Sequence, residues 1–130
     1  MTAAFDLDPE HRAFALWVRD VGVSQLRPVA ERGEPGRVNR ELVKAMGALG
    51  LLSRLFPGVV DERPTDAAAA LDLCLLRESL AQVSTDAETA LALQGLGTYP
   101  VLQSGSADQV ARWVPAAAAG AGVDFSPDGK

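Results

Sequence analysis

Between Thr65 and Leu96 the chain carries two helix-forming stretches that are apolar on more than one face, and this limits what it can fold into. In the first, Leu71, Cys74 and Leu75 recur on one side. Ala69, Leu73, Leu76, Leu80 and Val83 recur on another. The second carries Ala87, Ala90, Leu91, Leu93 and Leu96. A helix apolar nearly all round loses its exposed surface only when other helices surround it. Alternation with period two, the mark of a half-buried strand, is absent. The expected fold is therefore all-α, a bundle of five to six helices.

The punctuation of the chain supports that count. Asp8-Pro9-Glu10 opens a first helix, with Asp8 as cap and Pro9 in the first-turn position where a missing donor costs nothing. Its apolar face is Phe14, Trp17, Val18 and Val21, and Pro28 should bend it or mark a new turn. Asn39 caps a second helix with the stripe Leu42, Val43, Met46 and Leu49, and Gly50 suits a left-handed C-terminal position. An apolar stretch from Leu51 to Phe56 then ends at Pro57. Thr65 is the expected cap of the third helix, which runs to about Val83. Thr85-Asp86-Ala87-Glu88 reads as a capping box for the fourth. Thr98 to Gln103 reads as a short helix or turn around Pro100. Ser106 to Gln109 is a second capping box, for a last helix that Pro115 stops. The expected domain spans residues 1–115, and residues 116–130 read as a flexible tail or linker.

Composition excludes several classes. Twelve Lys and Arg against seventeen Asp and Glu give a net charge of −5, with no basic block, so no nucleic-acid partner is expected. No uncharged apolar run approaches a membrane span, and the N-terminus lacks a signal-peptide pattern, so a cytoplasmic protein with no membrane partner is expected. Cys74, the single cysteine, has no internal partner and reads as a small buried hydrophobe.

Catalytic constellations are missing from the pattern, and no catalytic residue is assigned. His11, the only histidine, sits in the first turn of the first helix and reads as solvated. No Cys/His spacing suits a metal, and none is expected. Gly95-Leu96-Gly97 lacks the rest of a dinucleotide fingerprint. Glu78 could be a buried base, but a carboxylate at a bundle edge paired with Arg77 or Arg54 is the favoured reading.

The order of several segments resembles the N-terminal helical domain of the acyl-CoA dehydrogenases. Glu10-His11-Arg12-Ala13-Phe14 with Trp17-Val18-Arg19-Asp20 and Arg27-Pro28-Val29-Ala30 is similar to that family's first helix. Glu41 to Leu52, followed by Leu55-Phe56-Pro57, resembles its second. Arg77-Glu78-Ser79-Leu80-Ala81, Gly97 to Leu102, Gly105 to Gln109 and Ala111 to Pro115 continue the likeness over about residues 5–120. The resemblance implies an FAD-dependent α,β-dehydrogenation of acyl thioesters, carried by an acyl-CoA or an acyl-carrier protein. In that family the middle β-domain and the C-terminal bundle supply most flavin contacts and the catalytic glutamate. FAD is therefore not expected to bind these 130 residues alone. By motif position Ala92, Leu93, Leu96 and Tyr99 would line one wall of the acyl pocket; ordinary bundle core is the alternative.

Two functions remain open at this point. One is a domain or subunit of an acyl-CoA dehydrogenase-like flavoprotein, completed by a separately encoded flavin-binding chain. The other is a stand-alone, non-catalytic binding or scaffolding module. A homodimer is the simplest cover for a bare apolar face, expected at Leu51 to Phe56 and at Tyr99 to Leu102. An independent small enzyme has least support.

Overall fold

The structure, a computed structural model, describes residues 6–59 and 68–121. Six α-helices follow one another: α1 (Pro9–Val21), α2 (Arg27–Glu31), α3 (Arg40–Ala48), α4 (Ala68–Ala81), α5 (Thr85–Ser104) and α6 (Ala107–Ala118). A π-helical segment, Gly22–Leu26, joins α1 to α2, and a 3-10 turn, Leu52–Leu55, follows α3. Among the described residues there is no strand, so the all-α expectation holds.

Most helix starts follow from local side-chain chemistry. Asp8 accepts the His11 N–H, Asn39 that of Leu42, and Ser106 that of Gln109. Each satisfies a donor that the first turn leaves without an intrahelical partner. The Gln109 side chain returns a bond to the Ser106 N–H at 2.9 Å, closing the capping box. Asn39 does a second job: its Nδ2 donates to the Val29 carbonyl at 3.0 Å and ties α2 to the start of α3. Gly50, at φ 76°, makes the left-handed turn that ends α3.

Several expectations are corrected. The cap of α5 is Ser84, whose hydroxyl accepts the Ala87 N–H; Glu88 bonds to Arg77 rather than closing a box with Thr85. Pro100 does not break the chain into a separate short helix, and α5 runs through it to Ser104. Pro115 likewise lies inside α6, which continues to Ala118. Both prolines are exposed, as are Leu96 and Ala111 four residues before them. The carbonyls that lose a partner there can turn to water, which lowers the cost of an interior proline. Thr65, the expected cap of α4, lies outside the described residues. So do residues 122–130 of the expected tail.

The core has two parts. Val18, Leu26, Leu42, Met46, Leu51 and Leu52 meet Leu76, Leu80, Ala87 and Leu91 in the larger cluster. Phe56, Val114, Ala117 and Ala118 form the smaller one, under Val101, Leu102 and Val110. Leu51, Leu52 and Phe56 are fully buried, so this stretch is core and not the bare patch expected of it. The end of α6 crosses α3 with the two backbones in contact. A Cβ built on Gly47 would meet the Ala119 carbonyl and sit 2.8 Å from the Gly120 nitrogen. Only glycine permits that approach. Residues 117–120 are thereby docked against the bundle instead of leaving it at Pro115.

Helix α4 is buried on one side only. Leu75, Leu76, Ser79 and Leu80 face the core. Leu71, Leu73, Cys74 and Glu78 are exposed, which corrects the expectation of a buried thiol. Apolar residues on every face conceal which of them a neighbour covers; here α1 and α5 cover one side.

Candidate functional site

The uncovered side of α4 and the adjoining face of α5 enclose a groove of about 570 Å³. The two helices are joined by the short turn after Ala81 and so run antiparallel. On α5, Ala92, Leu96 and Tyr99 are spaced four and three residues apart, which places them on one face. All three line the groove. Leu93 does not: it is 59% exposed and points off that face. Leu73 and Ala70 line it from α4, and Leu55 and Pro57 line it from the 3-10 turn and the residues just after it. Leu96 and Tyr99 are 71% and 49% exposed, more than bundle core would be. Gly95 lies on the floor, where a Cβ would meet the Leu55 side chain at 3.6 Å.

One lining residue is charged. Arg77, one turn beyond Leu73 on α4, donates from Nε to Glu88 Oε1 at 2.6 Å. The two expected partners of Glu78, Arg77 and Arg54, bond Glu88 and Asp72 instead, and Glu78 faces solvent. Arg77 was legible only as the next member, after Ala70 and Leu73, of a helical face.

A second polar cluster stitches α1 to α4 away from this groove. His11 Nδ1 lies 2.7 Å from Asp8 Oδ2, and its Nε2 lies 3.9 Å from Asp72. His11 is thus partnered and half-buried, not simply solvated. The Asp8 carboxyl is held below the usual carboxylate range, chiefly by the bond from the His11 backbone N–H. Arg54 bonds Asp72 at 3.0 Å and lies 4.1 Å over the Phe14 ring. One face and one edge of its guanidinium are engaged, and the cluster reads as structural. Trp17 stacks on Phe14 at 6.2 Å and stays 41% exposed, while Trp113 is half-buried under Arg112. Among the described residues no three His, Cys, Asp or Glu side chains converge in a way that could hold a metal ion. No helix among them is long and apolar enough to cross a membrane.

The sequence model of the acyl-CoA dehydrogenase N-terminal domain matches residues 8–121. The chain belongs to the acyl-CoA dehydrogenase N-terminal domain family. The match begins at the Asp8 cap and ends just past the contact of α6 with α3, so it covers the whole described bundle. No match was found among the curated proteins or among the solved structures. In this acyl-CoA dehydrogenase N-terminal domain an apolar groove opens between α4 and α5, and three of the four residues named from the resemblance line it.

Proposed function

We propose that this domain forms one wall of the acyl pocket of an acyl-CoA dehydrogenase-like flavoprotein. In this reading it binds the hydrocarbon part of an acyl thioester in the α4–α5 groove and takes no covalent part in the reaction. The observation that carries the reading is the apolar row of half-buried Ala92 and exposed Leu96 and Tyr99, which lines one groove with Leu73 within a domain of this family. Apolar walls recover free energy by taking alkyl surface out of water, roughly 0.8 kcal/mol per buried methylene. The concave, largely preformed shape suits such a ligand.

The same lining does not fit FAD. A flavin requires an array of positioned polar groups along its pyrophosphate and ring edge. The groove's side chains offer the Tyr99 hydroxyl and an Arg77 already engaged by Glu88. In the proposed assembly the flavin and the proton-abstracting base come from domains outside these 130 residues, on the same polypeptide or on a separate chain. This domain's part is to orient the acyl group and exclude water from one side of it.

Octanoyl-CoA titrated into isotopically labelled protein tests the proposal. Backbone amide signals of the turns around Ala92, Leu96 and Tyr99 should shift. Ala92→Trp, which fills the groove, should abolish the shifts while leaving the helical circular-dichroism spectrum intact. Shifts that map elsewhere, or that survive Ala92→Trp, would refute the assignment.

A further inference from the structure

The groove is polar at one end. Glu88, Ala92, Leu96 and Tyr99 mark successive turns of α5, about 16 Å from first to last at 1.5 Å per residue. Arg77 stands across from Glu88, near the α4–α5 turn, so the ion pair sits at the end of the groove opposite Tyr99. Glu88 is the more buried partner, its side chain 16% exposed, whereas that of Arg77 is 53% exposed. The bond between them uses Nε, the inner edge of the guanidinium. A bond through Nε leaves the N–H groups on the far edge of the guanidinium outside the pair.

That arrangement discriminates among acyl groups. A neutral alkyl chain laid along the full groove would cover the exposed part of the guanidinium and strip its water without replacing it, which is costly. A chain ending in a carboxylate would offer two acceptor oxygens to the terminal N–H groups, the geometry in which arginine binds most strongly. Glu88 would keep the guanidinium oriented through Nε. Resting on the reading of the groove as an acyl site, we infer that it selects acyl thioesters whose far end carries a carboxylate, with Arg77 as the specificity-determining residue and Glu88 as its positioning partner.

Calorimetric titration of the full chain with octanoyl-CoA and with its ω-carboxy counterpart, octanedioyl-CoA, tests the inference. The half-acid should bind at least about tenfold more tightly, the margin of one charge-assisted hydrogen bond. Arg77→Gln should erase that preference, weakening the half-acid and strengthening octanoyl-CoA, which then no longer covers a charge. The double variant Arg77→Gln/Glu88→Gln, which keeps a neutral pair of similar shape and leaves no carboxylate stranded, should do the same. Equal affinities of the unaltered protein for the two thioesters would overturn the inference and leave the acyl groove standing. Equal losses for both thioesters on removing Arg77 would overturn it too, because the arginine would then be reading the carrier phosphates they share. Binding of neither thioester would remove the acyl-site reading itself.

Discussion

Replacing Gly47 by alanine should destabilise the domain although it improves the intrinsic helix propensity of α3. Two opposing effects set the size. Alanine loses less backbone freedom on folding than glycine, a gain of about 0.5–1 kcal/mol inside a helix. Against this, the new methyl would collide with the Ala119 carbonyl and approach the Gly120 nitrogen to 2.8 Å. Those atoms are backbone and cannot rotate away, so α6 must shift off α3, and overpacking of this kind costs about 1–3 kcal/mol. The methyl enters a contact with no free space at all, so the upper half of that range applies. The net loss is about 1–2.5 kcal/mol, or roughly 4–9 °C in Tm for an unfolding entropy near 2.1 cal/mol/K per residue. Gly97→Ala supplies the control. Gly97 lies in α5, is exposed, and its Cβ would meet nothing within 4 Å. Only the propensity gain operates there, and Tm should rise by roughly 2–4 °C. Differential scanning calorimetry of the two variants decides the matter. A Gly47→Ala protein as stable as Gly97→Ala would refute the backbone contact between α3 and α6.

Three further outcomes can be checked. Asn39→Ala should cost about 1–2 kcal/mol in urea denaturation, whereas Asn39→Asp, which keeps the cap and loses the bond to Val29, should cost less than half as much. Ser84→Ala should destabilise by about 1 kcal/mol and Thr85→Ala by only a few tenths; the reverse order would return the cap of α5 to Thr85. Asp8 has a lowered folded-state pKa, so its ionised form contributes stability above the ordinary value of 3.8, and that contribution is lost as pH falls through the depressed folded value. The stability gap between the unaltered protein and Asp8→Ala, followed in urea melts at successive pH values, should therefore be full at neutral pH and shrink in acid. A gap that widens in acid would show the sign to be wrong.

Features set by a few neighbouring residues were legible before any coordinates. Asp8, Asn39 and Ser106 cap helices because each offers an oxygen one turn from a free N–H, and Gly50 ends α3 because it tolerates positive φ. Features decided by distant neighbours were not. Pro100 and Pro115 read as breaks, but both lie with Leu96 and Ala111 on exposed faces, where a carbonyl without its helical partner can turn to water. Ser84 and Thr85 are adjacent residues of equal capping chemistry, and only the turn from α4 selects between them. Cys74 and Leu75 are apolar neighbours, yet one is exposed and one buried, because that division belongs to the packing of α1 and α5 rather than to α4. At the groove, Ala92, Leu96 and Tyr99 follow from helical spacing together with the family resemblance. Leu93 falls off their face by one residue. The Arg77–Glu88 pair joins two helices, and no local pattern encodes it.

The wide turn at Gly22–Leu26 also bears on how the length of this chain can vary. The buried positions Val18, Gly22, Leu26 and Ala30 recur every four residues, and a helix of 3.6 residues per turn cannot hold three such steps in line. The π turn absorbs the surplus, while Pro28, with no N–H to give and a ring that crowds the preceding turn, sits just after it. Removing one of the exposed residues Val23, Ser24 or Gln25, together with Pro28→Ala, would leave steps of four, three and four, the natural stripe of an ordinary α-helix. Leu26 and Ala30 would still face the core. A deletion anywhere else in α1 would turn everything beyond it by about 100°, since each residue advances a 3.6-residue turn by that angle. This segment is thus the one stretch of the first helical arm where the chain can lose a residue without losing its place in the bundle.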